Sequence, residues 1–480
     1  MQWRVTLEAI DPTGDNYRGE FSFGKDIGRL QDGEVGCSLE DGKTIMAEIQ
    51  RIVVQREIDL YLEFRRICQD CHSRRWVKDR RTRKIETVFG IVEVQSPRYR
   101  ICQKCHPYTD FTSTPVSEIV PNRATPELMR LSAKLGALMP YRQAADVLST
   151  FLPDQTGKRF TTLRNRTLKV GQSIQDADFD RWWHELREKK HHEPQNELPL
   201  ANDLNREIVL SIDTAFVPRT KRNGGRTFEA VVCHTSRGGP GQPAGPVFAF
   251  AGTDRWKLKA YACKALHDQE YNGHGEITVI SDGEACLKNL TNDLPRKARH
   301  ILDWFHIAMK VEPLAQLSRT APPDFQTFGA DIASMKWRLW HGQVDRALDL
   351  MQGVLAGVQT NDGGTLCLWR RRAEPLLSRL LAYIRNNQSS IPNYAKRYQA
   401  GKRISTTSAE AGVNAVVAKR FVKKQQMRWA PQSADSLLAV RAAVLNDELK
   451  ERMSYTPPSR GSRDISTWEY QPHLPLAFAA

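Results

Sequence analysis

The sequence predicts an α/β chain of several domains, and three observations carry that expectation. Between Glu207 and Asp303 three strand-like runs follow one another and then helix alternates with strand, the pattern of a mixed sheet with helices on its faces. From 320 to 400 only helical periodicity is present. Upstream, Cys68-x-x-Cys71 and Cys102-x-x-Cys105 mark a small module that is followed by short helices. At 480 residues the chain has room for two to four domains. Apolar residues at 40% and charged residues at 26% suffice for real cores and exclude a wholly disordered chain.

Each element has its own signal. Residues 1–37 alternate in places (WRVTLEAI, EFSFG) and read as short strands. From Ser38, a plausible N-cap, SLEDGKTIMAEIQRIVVQREIDLYLEFRRI has one apolar helical stripe. TVFGIVEVQSPRYRI, between the cysteine pairs, reads as two strands around a turn. Residues 123–175 give helices with short turns, Thr125 capping the first. Two readings stand for them: a helix-turn-helix with Thr161–Ile174 as recognition helix, or an ordinary bundle. Residues 186–205 are polar and read as a linker. EIVLSIDTAFV, RTFEAVVCHTS, PVFAFAG, EITVISDG and ARHILD are strands, with helices between the later ones. SAEAGVNAVVAKRFVKKQQMRW and SADSLLAVRAAVLNDELKERM read as the last two helices, and the tail from Tyr455 as disordered.

Charge narrows the partners. Lys plus Arg is 70 against 55 for Asp plus Glu, a net +15. That excess favours a polyanion, either nucleic acid or an anionic membrane surface. No apolar run approaches the ~18 residues a membrane span needs. The start, MQWRVTLEAIDPTG, lacks the apolar core of a secretory signal, so a cytoplasmic protein is expected. Neither basic stretch forms an amphipathic helix with a large apolar face, which leaves nucleic acid. Nine cysteines, an odd number, argue against a disulfide framework.

Cys68, Cys71, Cys102 and Cys105 sit as two pairs about thirty residues apart, each able to form a knuckle with two thiolates. A closed tetrahedral Zn²⁺ site is the expected use. His72 and His106 also make both pairs CxxCH, the haem-attachment pattern, and a CxxC can be redox-active. Haem attachment calls for an exported chain, and neither pair starts a helix in a βαβ unit. Arg74, Arg75, Arg80, Arg81, Arg83 and Lys84 crowd this module and are expected to contact DNA phosphates. The bland alternative is a solvated charged face.

The acidic residues come next. Asp213 follows Ile208, Val209, Leu210 and Ile212 on one strand, and Asp282 ends ITVISDG. A carboxylate on such a strand is costly unless paired or holding a metal, and strand ends of mixed sheets are where sites gather. Two such acids can clamp Mg²⁺, whereas either alone reads as a turn or cap residue. Glu410 is the only acid between Lys396 and Arg428, among Lys402, Arg403, Lys419, Arg420, Lys423 and Lys424, all expected near DNA. It is either a helix-capping acid or a metal ligand.

SIDTAFV, SDGEACL, ILDWFHI and SAEAGVNAVVAKRFVKKQQMRW, with FGIVEVQSPRYRICQKC and MPYRQAADVL upstream, carry a resemblance. In their order and spacing the chain resembles the DDE transposases of bacterial insertion sequences, most closely the Kra-type group related to Mutator-like elements. The resemblance covers roughly Cys68 to Leu449. It implies an RNase H-like catalytic core with Asp213, Asp282 and Glu410 as its triad, holding Mg²⁺ or Mn²⁺. Asp303 and His306 match a D-x-x-H element, and the helices of 320–400 an all-α insertion. The run before Glu410 is TTSAE, where the family more often shows small-Gly-apolar-apolar-Glu. Trp337, Trp340 and Trp369 are expected to pack, or one of them to stack on a flipped base.

The expected division is 1–66 strands and helix, 67–115 zinc ribbon, 116–185 helical DNA-binding domain and 186–205 linker. The first part of the core follows at 206–318, the insertion at 319–400, the final helices with the third acid at 401–452 and the tail at 453–480. The implied function is binding of terminal inverted repeats, then cleavage and strand transfer. Expected partners are double-stranded DNA, at element ends and target, and further copies of the chain in a dimer or larger oligomer. A membrane and a small-molecule substrate are not expected. The expected setting is the bacterial cytoplasm, at the nucleoid. The alternatives are another RNase H-like nuclease such as a resolvase, and a domesticated zinc-dependent DNA-binding regulator.

Overall fold

The computed structural model describes residues 1–10, 16–33, 35–108, 111–153, 159–188, 207–221, 224–237, 244–269, 271, 275–294, 298–360, 366–406, 411–421 and 427–454. It is a mixed α/β protein built around a five-stranded sheet. β1 (Gln2–Ile10) and β2 (Asn16–Gly24) form an antiparallel hairpin. α1 (Leu39–Arg65) begins in a capping box: the Ser38 hydroxyl accepts from Asp41 N, and the Asp41 carboxylate accepts from Ser38 N. Ile52 of α1 lies so close under Gly19 that a Cβ there would come within 2.7 Å of it.

β3 (Val77–Thr87) and β4 (Gly90–Arg100) pair antiparallel, with β5 (Thr112–Ser113) on the far side of β4. The sequence reading placed both strands inside TVFGIVEVQSPRYRI. The basic run is itself the first strand. Lys78, Arg80, Arg81, Thr82 and Lys84 are exposed, and the half-buried positions among them are taken by Asp79 and Arg83, so no apolar alternation marks it. A small core joins this sheet to α1 through Ile58, Leu62, Ile85, Val92, Val94 and Tyr99, closed by Val116 of α2 (Pro115–Ile119).

α3 (Pro126–Leu138), α4 (Tyr141–Phe151) and α5 (Phe160–Glu188) pack together through Leu128, Ala133, Ala144, Leu148, Leu163 and Val170. The expected recognition helix is the first half of α5. One stripe of it is buried, while Thr161, Asn165, Lys169 and Gln172 are exposed. α5 runs three residues into the expected linker, and the rest of that linker lies outside the described residues.

β6 (Ile208–Pro218), β7 (Thr227–Arg237) and β8 (Ala244–Ala251) make an antiparallel meander. After α6 (Arg255–Asp268), β9 (Ile277–Ser281) runs parallel to β6. After α7 (Ala285–Lys288), β10 (Ala298–Leu302) runs parallel to β9, and the order is β10-β9-β6-β7-β8. Period-two alternation sorts the two faces. Ile208, Leu210, Ile212 and Phe248 meet Leu258 and Ala262 of α6. Val217, Val232, Val247 and Ala249 meet the C-terminal helices on the other side.

α8 (Trp304–Ser318), α9 (Phe328–Trp340), α10 (Val344–Thr360), α11 (Leu366–Asn386) and α12 (Tyr394–Gln399) share a separate core with Leu302. Trp369 is buried there between Phe325 and Phe328, and Trp340 packs on Trp304 and Tyr394. Trp337 is 54% exposed and lies on His341, ring centres 4.1 Å apart. A π-helical turn (Asn414–Ala418) leads into α13 (Lys419–Phe421), followed by α14 (Pro431–Leu445) and α15 (Leu449–Ser454). The sequence reading joined the last two; Asp447, at φ 58°, separates them.

The N-terminal helices and the sheet meet on α14. Arg441 donates to Val416 O at 2.5 Å and to the carbonyls of Ala137 and Ala415. Gly171 touches α14 so closely that a Cβ would lie 2.0 Å from the Ser436 carbonyl oxygen. Among the described residues no helix is long and apolar enough to cross a membrane.

Candidate active site and metal centre

The parallel strands deliver three acids to one row. Ser211 of β6 pairs with Ile280 of β9, so Asp213 and Asp282 share the same offset two residues on. Ser281 pairs with Leu302 of β10, so Asp282 and Asp303 correspond in turn. The sequence expectation thus meets a geometry that brings Asp213, Asp282, Asp303 and His306 to one end of the sheet. Burial raises the Asp213 pKa above the usual carboxylate range, and the charges of Asp282 and Asp303 add to that. The Thr214 N–H, which donates to its Oδ1 at 2.8 Å, and His306 act in the opposite sense. These field effects place the four groups within electrostatic reach of one another.

The three acids differ in what they still offer. Asp303 is fully buried and caps α8, accepting from Phe305 N at 2.7 Å, and its other oxygen accepts from the buried Thr406 hydroxyl. Its lone pairs are largely committed, which is the bland reading of a strand-end acid. His306 Nδ1 stands 3.4 Å from that second oxygen, close enough for ionic attraction but not aligned for a hydrogen bond. Asp213 and Asp282 are only half-buried. Glu410 lies outside the described residues. Of the residues on either side of it, Thr406 bonds to Asp303, and Gly412 lies against Val232, the cross-strand partner of Asp213.

The helices 304–400 grip the Asp282 turn. Tyr383 of α11 donates its hydroxyl to the Asp282 carbonyl at 2.8 Å. Gly283, at φ 90°, fits against Asn387, where a Cβ would meet the amide oxygen at 2.7 Å. Beneath the turn, buried His300 bridges Ser281 Oγ at 2.9 Å and Ser390 Oγ at 2.8 Å. Burial holds the His300 pKa down to about 4, so the ring is neutral at physiological pH. An open cleft beside Asp282 is lined by Glu284, Lys288, Tyr383 and Asn386. A larger cleft of about 560 Å³ lies between α5, α6 and α15, and none of the three acids lines it. Sequence reasoning missed Tyr383, His300 and Thr406. Their partners lie 101, 90 and 103 residues away, and no local pattern announces such a contact.

Neither a family model nor a curated protein matches this chain.

The four cysteines form a second centre. Each knuckle closes through a backbone bond, His72 N to Cys68 O and His106 N to Cys102 O, both 2.9 Å. The sulfurs turn inward: Cys71 and Cys102 are 3.4 Å apart, and Cys68 and Cys105 are 3.9 Å apart. All four ligand atoms lie within 4.8 Å of one another, close enough to bind a metal ion such as zinc. Among the described residues no other group of three or more His, Cys, Asp or Glu gathers so tightly. The Ser73 hydroxyl pulls Cys102 down to about 6, while hydrogen bonding within the cluster, first from Cys71, pushes Cys105 well up. Four crowded thiols cannot all ionise unless a cation balances them. One shared centre, not two separate attachment points, is what this geometry offers.

The basic residues divide. Arg74, Arg80 and Arg81 are exposed, and Lys84 pairs with Glu93 at 2.9 Å. Arg75 is half-buried. Arg83 is turned inward, donating to Ser117 Oγ at 2.5 Å and Val120 O at 2.6 Å, so it anchors α2 to the sheet. Lys402 bridges Glu276 at 2.8 Å and Glu207 at 3.9 Å, and burial lowers the pKa of half-buried Arg403. Lys419 is exposed, while Lys423 and Lys424 lie outside the described residues. Arg420 is a correction: it is 1% exposed, sandwiched by Tyr141 at 4.7 Å and Trp429 at 5.2 Å, and donates to Gly136 O. A phosphate cannot reach it. Two ring faces and the carbonyl end of α3 surround its charge.

Proposed function

We propose that the chain is a DDE-type DNA transposase with an RNase H-like core that cuts and joins DNA. The row of Asp213, Asp282 and Asp303 across three adjacent parallel strands carries the reading. The strand order, with an antiparallel meander on one side and two parallel strands on the other, supports it further. Asp213 and Asp282 keep carboxylate oxygens accessible, the hard donors that Mg²⁺ or Mn²⁺ prefers. Burial raises Asp213 first and the charges of Asp282 and Asp303 add to it, and a bound cation would offset both. Such a metal supplies Lewis-acid activation of the attacking and leaving oxygens. Glu410 joins these ligands by resemblance.

The chain's own groups do the rest. Tyr383 and His300 fix the Asp282 turn, and Asp303 orders the start of α8, where His306 stands beside Asp303 and within electrostatic reach of Asp213. Water attacks the phosphodiester at the element end and its P–O3′ bond breaks, and the freed 3′-hydroxyl then attacks a target phosphodiester, displacing the target strand's own 3′-oxygen as leaving group, with no covalent protein intermediate. The four cysteines hold Zn²⁺, and exposed Arg74, Arg80 and Arg81 bind phosphates at the element ends.

The test is Mg²⁺-dependent strand transfer on DNA carrying the inverted repeats that flank the gene. Wild type joins ends to target. Asp213→Asn and Asp282→Asn each lose about 10³-fold or more. Joining that survives either change refutes the assignment. One observation favours a second reading: the cysteines alone gather ligand atoms within 4.8 Å among the described residues. A zinc-dependent DNA-binding regulator needs only that centre. Tight specific binding without cleavage selects it, and cleavage without joining selects a nuclease.

A further inference from the structure

Among the described residues, β1 has one edge that no strand covers. The N-terminal amine donates to Lys25 O at 2.8 Å and Lys25 N donates to Met1 O at 2.8 Å, so these two residues exchange both bonds. Such pairs alternate along an antiparallel ladder. Counting on, Trp3, Val5, Leu7 and Ala9 bond to β2. The N–H and C=O groups of Gln2, Arg4, Thr6 and Glu8 point the other way, where no described strand lies. Natural edges of this kind are blunted by charged side chains, proline or a bulge. β1 contains no proline and its nine-residue register has no shift, and its two charges, Arg4 and Glu8, are of opposite sign and so complementary to a second copy. The hairpin rests on α1 through Gly19 and Ile52, and that packing covers one face of it and leaves the β1 edge unpaired. On the α1 side Trp3 remains 51% exposed.

We propose that a second copy of this chain fills that edge, β1 pairing antiparallel with its counterpart about a two-fold axis at Thr6. Charge selects the axis. Centring on Val5 would set Arg4 opposite Thr6, and centring on Leu7 would set Thr6 opposite Glu8. Centring on Thr6 sets Arg4 of each copy opposite Glu8 of the other, twice over. It also sets Val5 against Leu7 and Trp3 against Ala9. Within each hairpin Arg4 already pairs with Glu20 at 2.8 Å, and Arg18 lies 4.0 Å from Glu8. The joined sheet therefore carries alternating charges in the order Glu20, Arg4, Glu8, Arg18 across the axis. Two hairpins become one four-stranded sheet with both α1 helices on the same face.

The pairing stands whether or not the chain is a transposase, so its test uses oligomeric state and no DNA. Sedimentation equilibrium of the full chain is expected to show a dimer. Arg4→Glu places glutamate at both positions, and Glu8→Arg places arginine at both. Each variant alone repels itself, and its dimer dissociation constant rises by about tenfold or more. An equimolar mixture restores opposite charges at both pairs and returns to wild-type affinity. A monomeric wild type overturns the proposal. So does a variant that dimerises as tightly as wild type, or a mixture no tighter than its components.

Discussion

His300 joins three segments through one imidazole, and its environment makes it sensitive to acid. Its pKa of about 4 lies below the unfolded value of 6.5, so the unfolded chain takes up the proton first as pH falls. Stability from this group is full above pH 6.5 and drains away toward pH 4, by about 3 kcal/mol in all. His300→Gln, which does not titrate, is expected to flatten that acid limb in urea unfolding followed across the same pH range. At this scale the sequence is most ambiguous. Asp213 and Asp282 stand out because a carboxylate that follows a run of apolar strand residues breaks a pattern. Arg420 reads from sequence like any other cation in its neighbourhood, since nothing local distinguishes a guanidinium that will face solvent from one that will lie between Tyr141 and Trp429.

Among the elements, the cysteine module has the least apolar support. β3, β4, α1 and α2 share only a small buried core, and both ends of the hairpin run into a knuckle. Bound zinc would supply much of its folding energy. Chelation is expected to release amide protection across β3 and β4 while the five-stranded sheet keeps its own, as read by hydrogen exchange. Equal loss in both would show one cooperative unit instead. Elements were legible where their two sides differ. The strands of the large sheet announce themselves through buried valine, isoleucine and phenylalanine. β3 does not, because its outward residues are charged and Arg83 takes an inward position to bind α2. The break before α15 was hidden because Asp447 reads as one more polar helical residue.

At the scale of the whole molecule, the first helices and the last ones form one body. Gly171 on α5 and the Ser436 carbonyl on α14 touch where no side chain fits. Gly171→Ala is expected to cost about 3 kcal/mol or more, because backbone must move to admit even a methyl group. A thermal scan of the full chain would register this, and an unchanged midpoint would mean the two helices are not in contact in solution. This closure was illegible from sequence, since the polar run 186–205 suggested separate domains. It also sets a schedule. Arg441 binds the Ala137 carbonyl across 304 residues of chain. At the ~5–20 residues per second of synthesis, the first helices wait some tens of seconds on the ribosome before the arginine that fastens them exists. A nascent chain stopped before α14 would expose the apolar faces of α3 and α5, so helices made early are among the last parts of this protein to be finished.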